Sequence, residues 1–267
     1  MKKSALVLLA LLCLVSFSGL TFVHADTPYS FQSGWENSAG VTDGVWTGII
    51  TSSGDSPLVV QSPDYPVHGG SHACEFTTSA EEYVYNVFSP AQSVSISAYV
   101  YFANLPSSGN QMYCLYVAGD SGAWVKVVNT GAGVFWGYYA NGPTFVSNVA
   151  ASAGQWYLVQ MQADIVGGHL IYSIQINGNP IAVNQANAYS GSFIDLVGVG
   201  GWGKSESITN YVDDVTVTAT LFYTFPLPEY AFGGLLAISA CIAAFATYKW
   251  NQNRQQKYSK TLTHNLL

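Results

Sequence analysis

Between Val94 and Phe102 the chain alternates strictly. Val94, Ile96, Ala98, Val100 and Phe102 are apolar, and Ser95, Ser97, Tyr99 and Tyr101 stand between them. Successive side chains of an extended strand point to opposite sides, so this spacing sets one apolar face on a core and one hydroxyl-rich face away from it. A helix would scatter the same residues around its surface. Other short runs of strand-forming residues lie at 71–78, 82–89, 110–118, 122–129, 133–140, 156–164, 170–177, 193–200 and 209–219. Asn177-Gly178 marks a tight hairpin, and Val166-Gly167-Gly168 and Ala140-Asn141-Gly142-Pro143 mark further turns. No stretch between the two ends of the chain has helical periodicity. The pattern predicts an all-β fold over residues 26–222, a two-sheet antiparallel sandwich.

The ends read differently. Met1-Lys2-Lys3 is basic, residues 5–23 are apolar, and Val23-His24-Ala25 has the small-x-small form of a cleavage site, so residues 1–25 read as a signal peptide. Residues 231–248 form a second apolar run without a charge, just long enough for a hydrocarbon core of about 30 Å. Lys249, Arg254, Lys257 and Lys260 follow it, which orients the tail 249–267 to the cytoplasm and residues 26–230 outward. The expectation is a single-pass cell-surface protein with an extracellular N-terminal domain, a Pro-containing spacer at 223–230 and a transmembrane helix at 231–248. The Pro228-Glu229-Tyr230 step, the Gly/Ala-rich run and the basic tail resemble C-terminal anchors of archaeal surface proteins. Some of those are processed by sortase-like enzymes; the longer tail here favours a permanent anchor.

Charge narrows the partners. Residues 26–230 carry all fifteen acidic residues and only two basic ones, Lys126 and Lys204, for a net charge of −13, and they hold no Arg. Affinity for phosphate backbones and sulfated polymers comes from Lys and Arg, so nucleic acid and anionic glycans are excluded as expected partners. Two of the four cysteines fall in the outer domain, Cys74 and Cys114. An oxidising compartment allows a disulfide between them, and two buried thiols fit equally well.

Several motifs occur in an order that carries a resemblance. Gly154-Gln155-Trp156-Tyr157-Leu158-Val159 is similar to the G-x-W-(H/Y)-x-V strand of laminin G-like and concanavalin A-like jelly-roll domains. Leu170 to Gly178, LIYSIQING, is similar to their hairpin strand. Asn210-Tyr211-Val212-Asp213-Asp214-Val215 resembles the closing strand, and His68-Gly69-Gly70-Ser71-His72-Ala73 an early turn. The resemblance implies a jelly roll and raises the question of catalysis, because glucanases and polysaccharide lyases share that fold. The glucanases use an E-x-D-x-(x)-E strand, and this chain has none. Adjacent acids such as Asp213/Asp214 and Glu81/Glu82 point to opposite faces of a strand, whereas retaining hydrolysis needs two carboxyl groups about 5–5.5 Å apart. No catalytic residue is therefore expected.

Aromatic residues on polar strand faces are the candidate ligand platform: Tyr99 and Tyr101, Trp124 beside Lys126, and Trp136 with Tyr138. Rings stack on the apolar faces of sugars while hydroxyls and amides meet the sugar hydroxyls. Asp213 shares a face with Val215 and Val217 by alternation. If that face is inward, its buried charge calls either for a cation, structural calcium being the natural one, or for loop N–H donors. The expected function is non-catalytic binding or adhesion at the cell surface, to neutral glycan or another surface protein. A structural envelope protein without a small ligand is the alternative, and a polysaccharide-degrading enzyme the third reading.

Overall fold

The computed structural model describes residues 27–37, 40–51, 56–78, 81–140, 142, 144–203, 206–222 and 249. The expected leader 1–25, spacer 223–230, apolar run 231–248 and the tail after Lys249 lie outside the described residues. Among the described residues, no helix is long and apolar enough to cross a membrane. The described residues up to Phe222 form the first compact unit.

The first unit contains fourteen strands among its described residues: β1 Thr27–Ser33, β2 Gly48–Thr51, β3 Leu58–Gln61, β4 His72–Thr78, β5 Glu81–Phe102, β6 Gln111–Gly119, β7 Gly122–Asn129, β8 Val134–Tyr139, β9 Thr144–Ala150, β10 Trp156–Val166, β11 His169–Ile176, β12 Asn179–Ser190, β13 Ile194–Gly203 and β14 Ile208–Leu221. All pairings are antiparallel.

The 22-residue β5 joins the two layers. Its first part pairs with β2 and β13, and its second part pairs with β10 and β14. The changeover falls at Ser89-Pro90, where the register against β13 slips between Val87 and Ala91. Proline donates no N–H to a ladder, so it suits the bend at which a strand changes sheets. The front sheet runs β2-β5-β13-β6-β7-β8-β9. The back sheet runs β4-β14-β5-β10-β11-β12, with β3 on β4 and β1 beside the later half of β14.

The alternation of 94–102 holds throughout: Val94, Ile96, Ala98, Val100 and Phe102 are all buried. They pack with Val159, Met161, Leu170, Ile174 and Ile176 of the back sheet and with Met112, Val125, Val127, Val197 and Val199 of the front sheet. The hairpin at Asn177-Gly178 has both residues at positive φ, 49° and 78°, the conformation a two-residue turn between right-twisted strands requires.

One sequence expectation is corrected here, and one alternative left open is decided. Trp136 is fully buried and Tyr138 nearly so; both point into the core, not onto a platform. Trp136 lies 5.7 Å from Phe102 and 5.2 Å from Tyr157, and Tyr138 lies 5.7 Å from Tyr172, measured between ring centroids. Both parities of VFWGYY carry aromatics, so alternation alone does not say which set faces inward. Cys74 and Cys114 are free thiols, both buried. Each sits on the inner side of its strand, and burial raises both thiol pKa values, so they behave as small core residues.

Candidate functional site

The outer face of the front sheet carries a cavity of about 510 Å³. Its walls are aromatic. Tyr83 and Tyr85 come from β5, Tyr113 and Tyr116 from β6, and Trp124 from β7, with Ile50, Leu196 and Glu81 completing the rim and Gly200 and Gly201 in the floor. Alternation along β5 explains Tyr83 and Tyr85, because Val84 between them is buried. Tyr113 and Tyr116 are three residues apart and would fall on opposite faces of a regular strand. A register shift against β7 between Tyr113 and Leu115 brings both outward.

Glycines let these rings lie along the sheet. A Cβ on Gly198 would sit 2.2 Å from the Tyr116 ring, and one on Gly48 would sit 2.7 Å from the Tyr85 hydroxyl. Gly200 has φ 150° and no room for a side chain, since its Cβ would lie 2.5 Å from the Glu82 carbonyl oxygen. Tyr83 and Tyr116 pack edge to face at 5.1 Å, and Trp124 leans on Tyr139 at 5.4 Å. Burial raises the phenol pKa of Tyr83, Tyr113 and Tyr116, with the Glu81 charge adding to the rise at Tyr83. The hydroxyls therefore stay protonated, although that of Tyr116 is itself buried. Glu81 lines the cavity, while its neighbour Glu82 points to the opposite, buried side. Chemically, the trough offers flat apolar faces ringed by neutral hydroxyls.

Of the aromatic residues expected at a ligand site, Trp124 is in this trough. Tyr99 and Tyr101 are elsewhere, on the outer face of the back sheet, where the loop 62–71 covers them. The His68 ring stacks on Tyr99 with centroids 3.3 Å apart, and Tyr101 packs against Trp156 and Tyr211. The face of Tyr99 that was to meet a sugar is thus occupied by the protein's own loop.

Asp213 helps to hold that loop. Its register partner is Tyr99, and an irregularity between Asp213 and Thr216 separates it from the inward face of Val215 and Val217. Asp214, at φ 48°, sits in this bulge. The bulge also overrides the expectation that the two acids diverge. Asp213 Oδ2 accepts the N–H groups of His68 at 2.9 Å and Gly69 at 3.0 Å, and Asp214 Oδ2 lies 2.8 Å from His68 Nδ1. Asp213 Oδ1 accepts the Asp214 N–H at 2.7 Å. Of the two ways expected to meet the Asp213 charge, backbone N–H donors from the loop are present; among the described residues no group of three or more His, Cys, Asp or Glu side chains gathers there.

These contacts set a pH dependence. Burial pushes the Asp213 carboxyl from its ordinary 3.8 up to about 6, and the N–H donors of Gly69, His68 and Asp214 only partly offset it. The folded state therefore holds the proton more tightly than the unfolded chain. Its contribution to stability is full below about pH 4 and is lost as pH rises through about 6. Comparing urea midpoints at pH 5 and pH 7, the parent should gain more on acidification than Asp213→Asn, which has no carboxyl to protonate. Equal gains would show that Asp213 titrates in the folded chain as it does unfolded. Glu36 works in the other direction. Slight burial raises its pKa, but the N–H groups of His72 and Ser71 and the Ser71 hydroxyl outweigh that and hold it at about 2.

Comparison with known proteins agrees on architecture. No family model matches the chain, and no curated protein does. Among solved structures, the cellulose induced protein Cip1 aligns with a TM-score of 0.53 at 13% identity, over 70% of this chain and 96% of that one. A sialidase aligns at 0.47 with 10% identity, over 74% of this chain and 18% of that one. A structure titled for the dependence of botulinum neurotoxin type C cell entry on two ganglioside molecules aligns at 0.44 with 16% identity, over 68% and 45%. The likeness to Cip1 is one of fold: an all-β antiparallel sandwich.

Proposed function

We propose that this chain is a non-catalytic carbohydrate-binding protein displayed at a cell surface, with its ligand held in the trough of the front sheet. The observation that carries the reading is the convergence of Tyr83, Tyr85, Tyr113, Tyr116 and Trp124 on one cavity of about 510 Å³, within the range of ordinary ligand sites. Aromatic faces with neutral donors suit a ring whose two faces are C–H patches and whose edge is hydroxyls. The acidic balance of residues 26–230 favours a ligand without anionic groups. Glu81 and Glu82 face opposite sides of β5, which supports binding without hydrolysis. In the finer reading the sandwich is a concanavalin A-like jelly roll: three of the four motifs of that resemblance fall on β10, on β11 with its turn, and on β14, and the fourth, His68–Ala73, leads into β4. The leader and the C-terminal apolar run would place it outside the membrane.

The test is retention of the full chain, purified in mild detergent, on a panel of neutral glycans, with trough variants alongside. Retention that depends on Trp124 and Tyr85 supports the reading. A parent that binds no glycan favours a structural envelope role.

A further inference from the structure

Three rings of the trough are set at a regular interval. One cross-strand row on the outer face runs Gly48, Tyr85, Gly198, Tyr116 and Trp124, a single residue from each of β2, β5, β13, β6 and β7. Tyr85 leans from β5 onto β2, since a Cβ on Gly48 would lie 2.9 Å from its Cζ. Tyr116 leans the same way, from β6 onto β13, where a Cβ on Gly198 would lie 2.3 Å from its Cζ. Trp124 lies back along its own strand, with Cη2 2.7 Å from a would-be Cβ on Gly122. The three rings thus lie over β2, β13 and β7, alternate strands of the sheet. At ordinary strand spacing each is roughly 9.5 Å from the next. All three rings are part-exposed. Both ends of the row run out to exposed positions, Ile50 on the β2 edge and, beyond Trp124 and Tyr139, Thr144 on the β9 edge.

We infer that the trough binds an internal stretch of one linear β-1,4-linked chain of neutral hexoses, laid across the strands with every second sugar on a ring. The inference rests on the carbohydrate reading above and names the linkage and length of its ligand. In an extended β-1,4 chain each sugar is flipped relative to its neighbour. The same face therefore recurs at every second unit, at nearly the interval of these rings. An α-1,4 chain coils instead and carries its faces away from a row. Three rings under alternate sugars take about five units, counted at the strand spacing. Sheet twist turns each ring relative to the last. A single chain can follow that turn through its glycosidic bonds, whereas the flat face of a crystal cannot. The exposed ends of the row leave room for the chain to continue past both edges.

The experiment measures affinity of the full chain in mild detergent for β-1,4-linked glucose oligomers of increasing length, with α-1,4-linked glucose oligomers of the same lengths alongside. Affinity for the β-1,4 series should climb to about five units and then level. The pentamer should bind about tenfold or more tighter than the dimer, because it adds two ring–sugar stacks, each a several-fold gain. The α-1,4 series should not gain with length. In Trp124→Ala the β-1,4 climb should end about two units earlier, since one ring of the row is gone. A long, soluble β-1,4 glucan should displace the pentamer. A dimer that binds as tightly as the pentamer, an α-1,4 series that climbs as steeply, or a Trp124→Ala climb of parental length would overturn the inference and leave the carbohydrate reading standing. Failure of the long glucan to displace the pentamer would overturn the internal placement. Binding of neither series, with retention elsewhere on the neutral-glycan panel, would overturn this inference alone. Retention nowhere on the panel would overturn both readings.

Discussion

Trp136→Ala should destabilise the sandwich by about 3–5 kcal/mol, the usual cost of emptying a buried aromatic site. At about 2–4 °C per kcal/mol for a domain of this size, the melting temperature should fall by roughly 10 °C or more. The residue is fully buried, and its ring touches Phe102 from β5 and Tyr157 from β10, so the cavity would open between the two sheets. Thermal melting of the full chain followed by tryptophan fluorescence or circular dichroism measures the effect. A shift of only a degree or two would place Trp136 outside the core and return it to the list of surface aromatics.

Gly200→Ala should be severe for a different reason. At φ 150° the backbone is in a region open in practice only to glycine, and strain of that kind costs about 1–3 kcal/mol by itself. The new methyl would also meet the Glu82 carbonyl oxygen at 2.5 Å and Tyr83 Cα at 2.6 Å. Relief requires β13 to move away from β5, which opens the floor of the trough. Stability and ligand affinity should therefore fall together. Gly168→Ala is the control, because Gly168 also has positive φ, 78°, but nothing lies within 4 Å of its would-be Cβ. It should lose about 1–2 kcal/mol and keep its affinity. Equal losses in the two variants would mean that the contact between β13 and β5 is not tight.

The layer architecture was legible because burial of one face imposes period two. Ser93 to Tyr101 and Trp156 to Asp164 pair residue by residue, as their alternation requires. Among the strands that the pattern did not show are β1, β2 and β3, and two whose pairing owes little to side chains, β9 and β12. β12 reads NPIAVNQANAYS, mostly exposed and interrupted by register shifts, so its ladder to β11 leaves no hydrophobic signature. β9 is likewise a largely exposed edge. That 82–89 and 94–102 form one strand was hidden by Pro90, which reads as a break and is in fact the corner between sheets.

The site was less legible than the fold. Trp124 was found on its face with Lys126, although Lys126 itself is sealed beneath Tyr113 and Tyr139. Tyr83 and Tyr85 were available as an alternating pair in EYVYNV, a signal that could have marked them. Tyr113 and Tyr116 were not, because their common face depends on a register shift that no periodicity shows. Tyr99 and Tyr101 were placed on the correct outer face, but a loop 30 residues earlier lies on it, and nothing local to β5 announces that His68 will stack there. Asp213 was misplaced by the same kind of irregularity, a bulge that shifts the parity of β14.

The central claim is that the front-sheet trough binds carbohydrate, and the most direct measurement is the affinity of the full chain for neutral oligosaccharides before and after Trp124→Ala and Tyr85→Ala are combined. Both residues line the cavity and neither is deep in the core, whereas a ring that anchors a ligand commonly contributes about 2 kcal/mol or more to binding. The combined variant should melt within a few degrees of the parent and lose more than about tenfold in affinity, while Tyr99→Ala, under its loop on the other sheet, should bind as the parent does. A combined variant that keeps the parent's affinity, or a Tyr99→Ala variant that loses it, would contradict the placement of the site.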